Sequence, residues 1–227
     1  MAKRISLEEY PDIVRENPKD FVRVGNGVIA HTQTHNGLNF RGALEAVAQE
    51  GVKISPIPVF MNYRGDVFAA SRGEGKLVYA DGSPVDRNRA KDFWKGLSGK
   101  YANGVYVWLN AGFSKDDDGT WHIHEDFHIE DDFFGIRHVA ERKPLLQKCV
   151  MEDGFVSLEL NEQGTPTRMS RVAGYQPHTN IHYSAPRNGS VAGFIADSGG
   201  AGLNCGWIPS NSYLSLGVLA YARKISE

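Results

Sequence analysis

The chain has two cysteines, Cys149 and Cys205, among 227 residues. That is too few for a disulfide scaffold, and the expectation is two buried thiols. It has no apolar run long enough to span a bilayer, so membrane insertion is not expected. The first ten residues, Met-Ala-Lys-Arg-Ile-Ser-Leu-Glu-Glu-Tyr, lack the apolar core of a secretory signal peptide. An extracellular role would then come without classical secretion, as in a viral structural protein, or from a processed precursor. There is no low-complexity tract and no repeat of fixed period. Nor is there an excess of charge of one sign. The formal net charge of −2 gives no global pull toward nucleic acid or anionic lipid.

What is present suits a soluble globular protein with a substantial core: 41% hydrophobic and 23% charged residues. One domain over 1–227 is expected. Asn39-Phe-Arg-Gly-Ala-Leu-Glu-Ala-Val-Ala-Gln-Glu-Gly51 reads as a helix. Phe40, Leu44, Val47 and Ala48 fall at helical spacing, Asn36 or Asn39 can cap the start, and Gly51 can end it. Ile57 to Tyr63 suggests a second short helix, and Arg72 to Gly82 reads as turns. Asp86 is a plausible cap for a helix through Phe93, Trp94 and Leu97. Gly104-Val-Tyr-Val-Trp-Leu-Asn-Ala111 is dense in β-branched and aromatic residues and reads as a central strand. Asp116–Gly119 marks a turn before Trp121-His-Ile-His124. Phe155–Leu160 is a further strand, turned by Asn161–Gly164. Helices early and short strands late predict an α+β domain rather than βαβ units.

The C-terminal stretch sorts by parity. Ala192, Phe194, Ala196 and Ser198 form one set; Gly193, Ile195, Asp197 and Gly199 form the other. Gly200 shifts the register, after which Ala201, Leu203, Cys205 and Trp207 continue the first set, and Gly202, Asn204, Gly206 and Ile208 the second. Period-two alternation puts each set on one side of an extended chain. The first set looks like a buried face. The second obeys no burial rule, and five glycines between 193 and 206 are a poor choice for strand stability. A glycine-rich hairpin shaped by bulges or tight backbone approach accounts for the same residues.

The ending Leu216-Gly-Val-Leu-Ala-Tyr-Ala-Arg223 resembles the close of C-type-lectin-fold proteins related to formylglycine-generating enzymes. The stretch Val191–Arg223 resembles the variable region of diversity-generating retroelement target proteins, of the viral and archaeal type. The helix around Leu38–Gly51 and the strand Val107-Trp-Leu-Asn-Ala111 are similar to that group too. The resemblance implies a C-type lectin fold with inserted segments, its first and last strands together. It also implies codons rewritten at template adenines. From an asparagine codon such changes reach Gly, Ile, Asp, Ser and Tyr, the types in the second set and in Asn211, Tyr213 and Ser215. Ala, Phe, Leu, Cys, Trp and Pro can be encoded without adenine. Leu219 departs from the family, where arginine is frequent.

The ligand-binding residues so implied are Gly193, Ile195, Asp197, Gly199, Gly200, Gly202, Asn204, Gly206, Ile208, Asn211 and Tyr213. Tyr213, Ile195 and Ile208 are the expected hot spots, since aromatic and apolar anchors dominate interface energy. The partner would be a macromolecule or cell-surface ligand, protein or glycan, met on a virion surface if the chain is viral. No enzyme activity, cofactor, catalytic metal or redox-active cysteine pair is expected.

Other motifs compete weakly. His122, His124 and His128, with Glu125 and Asp126, could suggest a divalent site, but a solvated polar hairpin explains them as well. Asp116–Gly119 lacks the ligand spacing of an EF-hand loop. His31-Thr-Gln-Thr-His35 could suggest phosphate chemistry, with no second motif to support it. Arg64-Gly-Asp66 matches a short adhesion tripeptide, and Asn188-Gly-Ser190 a glycosylation sequon. A formylglycine-generating enzyme would pair cysteines near the C-terminus, whereas Cys149 lies far upstream. A calcium-dependent lectin would carry a Glu-Pro-Asn or Gln-Pro-Asp motif, and none is present.

Overall fold

The computed structural model describes residues 7–99, 104–132 and 135–224. Its helices are α1 (Asp12–Glu16), α2 (Phe40–Gln49), α3 (Ile57–Arg72) and α4 (Arg87–Leu97). The strands are β1 (Phe21–Val24), β2 (Gly27–Ala30), β3 (Lys53–Ile54), β4 (Val105–Lys115), β5 (Trp121–Asp132) and β6 (Gly135–Pro144). They continue as β7 (Gly154–Ser157), β8 (Asn180–Ser184), β9 (Ser190–Asp197), β10 (Gly200–Trp207), β11 (Leu216–Val218) and β12 (Ala220–Arg223).

The expected α+β class does not hold. The protein is mostly β-sheet, 38% strand against 23% helix. Its strands form a sheet of four, ordered β1-β2-β12-β3, and a sheet of eight, ordered β6-β5-β4-β9-β10-β8-β7 with β11 beside β4. Two features caused the misreading. The early strands β1, β2 and β3 are only two to four residues long, too short for a period to show, and they sit among the helices. The polar run after Trp121 forms one long hairpin of β5 and β6.

Local rules placed most helices correctly. The Asn39 side chain accepts from Gly42 N at 2.8 Å and starts α2. Asp86 accepts from Asn88 N and Arg89 N and starts α4. The short helix expected at Ile57 to Tyr63 runs on to Arg72 and ends on Gly73 in a left-handed conformation. The central strand expected at 104–111 extends to Lys115. It is buried from Val107 to Phe113 because both of its faces are covered.

One core lies between α3, α4 and the large sheet, and includes Phe60, Tyr63, Val67, Leu97, Leu109, Phe194 and Leu203. The other gathers α2 and the small sheet with Trp108, Val191 and Leu216. The C-terminal strand closes the small sheet: β12 pairs antiparallel with β2 on one edge and β3 on the other. The preceding β11 pairs parallel with β4, Leu216 opposite Tyr106. The last eight residues of the fold thus stitch the two sheets together, and this fixes the position of the loop before them.

Candidate functional site

The glycine-rich segment is the antiparallel hairpin β9–β10. What reads as a register shift at Gly200 is its two-residue turn, Ser198-Gly199, so Ser198 is exposed and not part of the packed face. The pairs are Asp197 with Gly200, Ala196 with Ala201, Ile195 with Gly202, Phe194 with Leu203, and Gly193 with Asn204. Each expected set therefore pairs with itself across the hairpin. Ala192, Phe194, Ala196, Ala201, Leu203 and Cys205 are all buried against α3 and α4. Phe194 meets the Phe60 ring at 4.6 Å.

Trp207 breaks the pattern. The register shifts between Asn204 and Trp207, which pairs with Val191. This bulge is held by Asn204 Oδ1, which accepts from Gly206 N at 2.9 Å, and by Ser190 Oγ, which donates to Cys205 O at 2.6 Å. The extra residue turns Trp207 to the opposite face from Cys205. There its ring meets Trp108 edge-on at 5.2 Å and covers Gly193. Gly193, expected to be exposed, is buried: a Cβ there would lie 2.0 Å from the Trp207 ring. Gly200 is also structural, with φ +125° and Tyr175 3.0 Å from where a Cβ would sit.

Beyond Trp207 the face opens. His182, Ser184, Ile195, Asp197, Gly199, Gly200, Ala201, Gly202, Leu203 and Asn204 line a hollow of about 300 Å³. Six of the eleven expected residues line it: Ile195, Asp197, Gly199, Gly200, Gly202 and Asn204. Across it runs a row on three strands, with Ile195 opposite Gly202 and Gly202 opposite His182, and Tyr106, opposite Ile195, continues the row on β4 beyond the lining. On its rim the Asp197 carboxylate accepts from Tyr106 OH at 2.7 Å and from Gly199 N at 2.8 Å. That bond raises the Tyr106 pKa, since losing the proton would set two anions side by side. His182 is exposed, its ring edge-on to Phe155 at 4.8 Å. Gly206 is half-buried in the bulge, outside the lining.

Ile208, Asn211 and Tyr213 lie apart from the hollow's lining, in the loop between β10 and β11. That loop is tied at both ends by Phe40 N donating to Pro209 O and Gly37 N to Leu216 O. Between these ties Ile208 is 62%, Tyr213 65% and Leu214 90% exposed. Sequence reasoning missed His182, Ser184 and Tyr106. The first two carried a signal, because Asn180-Ile-His-Tyr-Ser184 alternates buried Ile181 and Tyr183 with His182 and Ser184.

The competing motifs resolve differently. Arg64 of the adhesion-like tripeptide is buried inside α3, donating to Leu97 O and Pro177 O and lying 5.0 Å from the Trp94 ring centroid. No partner can read it there. His122, His124 and His128 have separate neighbours: Arg142, Ser114 Oγ, and Asp126 O with Glu130. Among the described residues no group of three or more His, Cys, Asp or Glu is placed to hold a metal ion. In His31–His35, His31 stacks on Phe93 at 4.5 Å and contacts Lys19 O, while Gln33 bonds to Ser215 O and Asn36. Asn188 of the sequon accepts from Lys115 N. Cys149 and Cys205 are free and buried beside Tyr183, and burial pushes both thiols up, away from the reactive thiolate. No described helix is long and apolar enough to cross a membrane.

No family model, curated protein or solved structure matches the chain, so the comparisons do not bear on the resemblance drawn from its C-terminal residues.

Proposed function

We propose that this chain is a ligand-binding protein, not an enzyme, and that it meets its partner through the open part of the β9–β10 face and the loop 208–215. The observation that carries this reading is the hairpin's division. One face is filled by apolar side chains, while the other leaves a hollow lined by five residues of the set that follows no burial rule, with Gly200 beside them. A recognition surface needs side chains free to be chosen for the partner, above a floor that holds its shape without them. Exposed Ile208, Tyr213 and Leu214 on a tethered loop are the kind of anchors that dominate interface energy.

The resemblance to target proteins of diversity-generating retroelements agrees with this division, and makes the surface one that is rewritten between copies, for viral or cell-surface recognition. The diversifiable residues are then Ile195, Asp197, Asn204, Ile208, Asn211 and Tyr213, with Gly193 and Gly200 kept for the fold. The test is a library in which those six codons are randomised together. Most members should remain folded by thermal melting, and selection should recover binders to unrelated protein targets. A library in which most members unfold overturns the reading. A near-copy of the C-terminal coding segment beside a reverse-transcriptase gene would support the mechanism of variation.

A further inference from the structure

Among the described residues Asp197 is the one carboxylate lining the hollow, and it makes no ion pair with any of them. Its two oxygens offer about four acceptor positions. Two are used, by Tyr106 OH and Gly199 N, so the group is held at a fixed angle with acceptor capacity left over. Around it the lining is neutral or apolar: Ile195, Ala201, Leu203, three glycines, Ser184 and Asn204, with His182 on the far strand β8. The volume, about 300 Å³, lies at the lower end for ligand sites, enough for one side chain and not for an extended ligand.

A half-buried carboxylate with spare acceptors and no counter-charge among the described residues, over an apolar floor, suits one class of group. It is a cation on an aliphatic stem, the stem packing on Ile195 and the head meeting Asp197. We propose that the hollow is the subsite for a lysine or arginine side chain of a protein partner, an inference that rests on the binding reading above.

The probe is a displayed library of random-sequence peptides, selected in parallel on the parent protein and on Asp197→Asn, Asp197→Glu and Lys100→Ala. Lys100 lies outside the described residues, next to Gly99, which approaches Gly200 closely. The expected result is enrichment of lysine or arginine on the parent. That preference should persist on D197E and K100A and vanish on D197N, with individual peptides weakened about tenfold or more. Basic enrichment that survives D197N, or appears only on K100A, overturns the proposal. Binders that need Ile195 and Asn204 but carry no basic residue overturn the cation subsite and leave the binding face standing. Binders indifferent to every residue of the face sink both. A neutral glycan whose binding on a glycan array requires Asp197 assigns the hollow to sugar and overturns the proposal as well.

Discussion

The two faces of the β9–β10 hairpin share a backbone and differ in what the rest of the chain places over them. Toward α3 and α4, Phe194, Leu203, Cys205 and three alanines meet close-packed apolar neighbours. Any change of volume there is felt across the core. The other face is not uniform. Near Val191 it is covered by Trp207 and Trp108, and near Asp197 it is open. Alternation of side chains makes two faces; only neighbouring elements decide whether a face is core or surface.

The sharpest way to break this comparison is to truncate one side chain from each region. Phe194→Ala should lower unfolding free energy by about 3–5 kcal/mol in denaturant titration, the usual penalty for a buried aromatic. A loss no greater than that of an open-face substitution would refute the division.

The covered part of the second face should come next. Gly193→Ala drives a methyl group into the Trp207 ring, costing about 1–3 kcal/mol by overpacking. Pairing it with Trp207→Ala should recover part of that loss, because the obstructing ring is gone. Strict additivity in the double-mutant cycle would show that the two do not touch.

A milder contrast comes from acid. His31, stacked on Phe93, and His124 have pKa values lowered mainly by burial. Their folded-state values lie below the unfolded one of about 6.5, so the stability they contribute is fully present above that pH. It is lost as pH falls from there through the folded values, because the unfolded chain takes up protons first. Urea midpoints should therefore drop as pH falls below about 6.5. His31→Phe keeps the stack and should flatten part of the slope; an unchanged slope in it and in His124→Gln would place the titration elsewhere.

The smallest effects belong to the open residues. Ile208→Ser and Tyr213→Ser should each change stability by less than about 0.5 kcal/mol. Asn204→Ser should cost somewhat more, about 0.5–1.5 kcal/mol, as its side chain holds Gly206 N in the bulge. Their effect on partner affinity should be the larger one, measured by calorimetry on the selected peptides. Melting losses at Ile208 and Tyr213 equal to that of Phe194→Ala would make the loop part of the core.

Local chemistry in the sequence was enough to determine the cap at Asp86, a cap at Asn36 or Asn39, most of the central strand, the turn at Asp116–Gly119 and the parity of Ala192 to Ala196 and of Ala201 to Cys205. Each depends on neighbours within a few residues. The class was not legible, since β1 and β2 form a hairpin of strands too short to show a period, and β3 is a strand only because β12 returns to pair with it. The inside-out position of Trp207 was not legible either. A one-residue bulge reverses everything beyond it, and this one is held by Ser190, fifteen residues upstream of Cys205. The hollow itself exists only in the folded chain. His182 and Ser184 come from β8, Ile195 and Asp197 from β9, Gly202 and Asn204 from β10, and Tyr106, which donates to Asp197, from β4. The β9–β10 hairpin is local, but pairing with β8 and β4, a longer-range choice, sets the rest beside it.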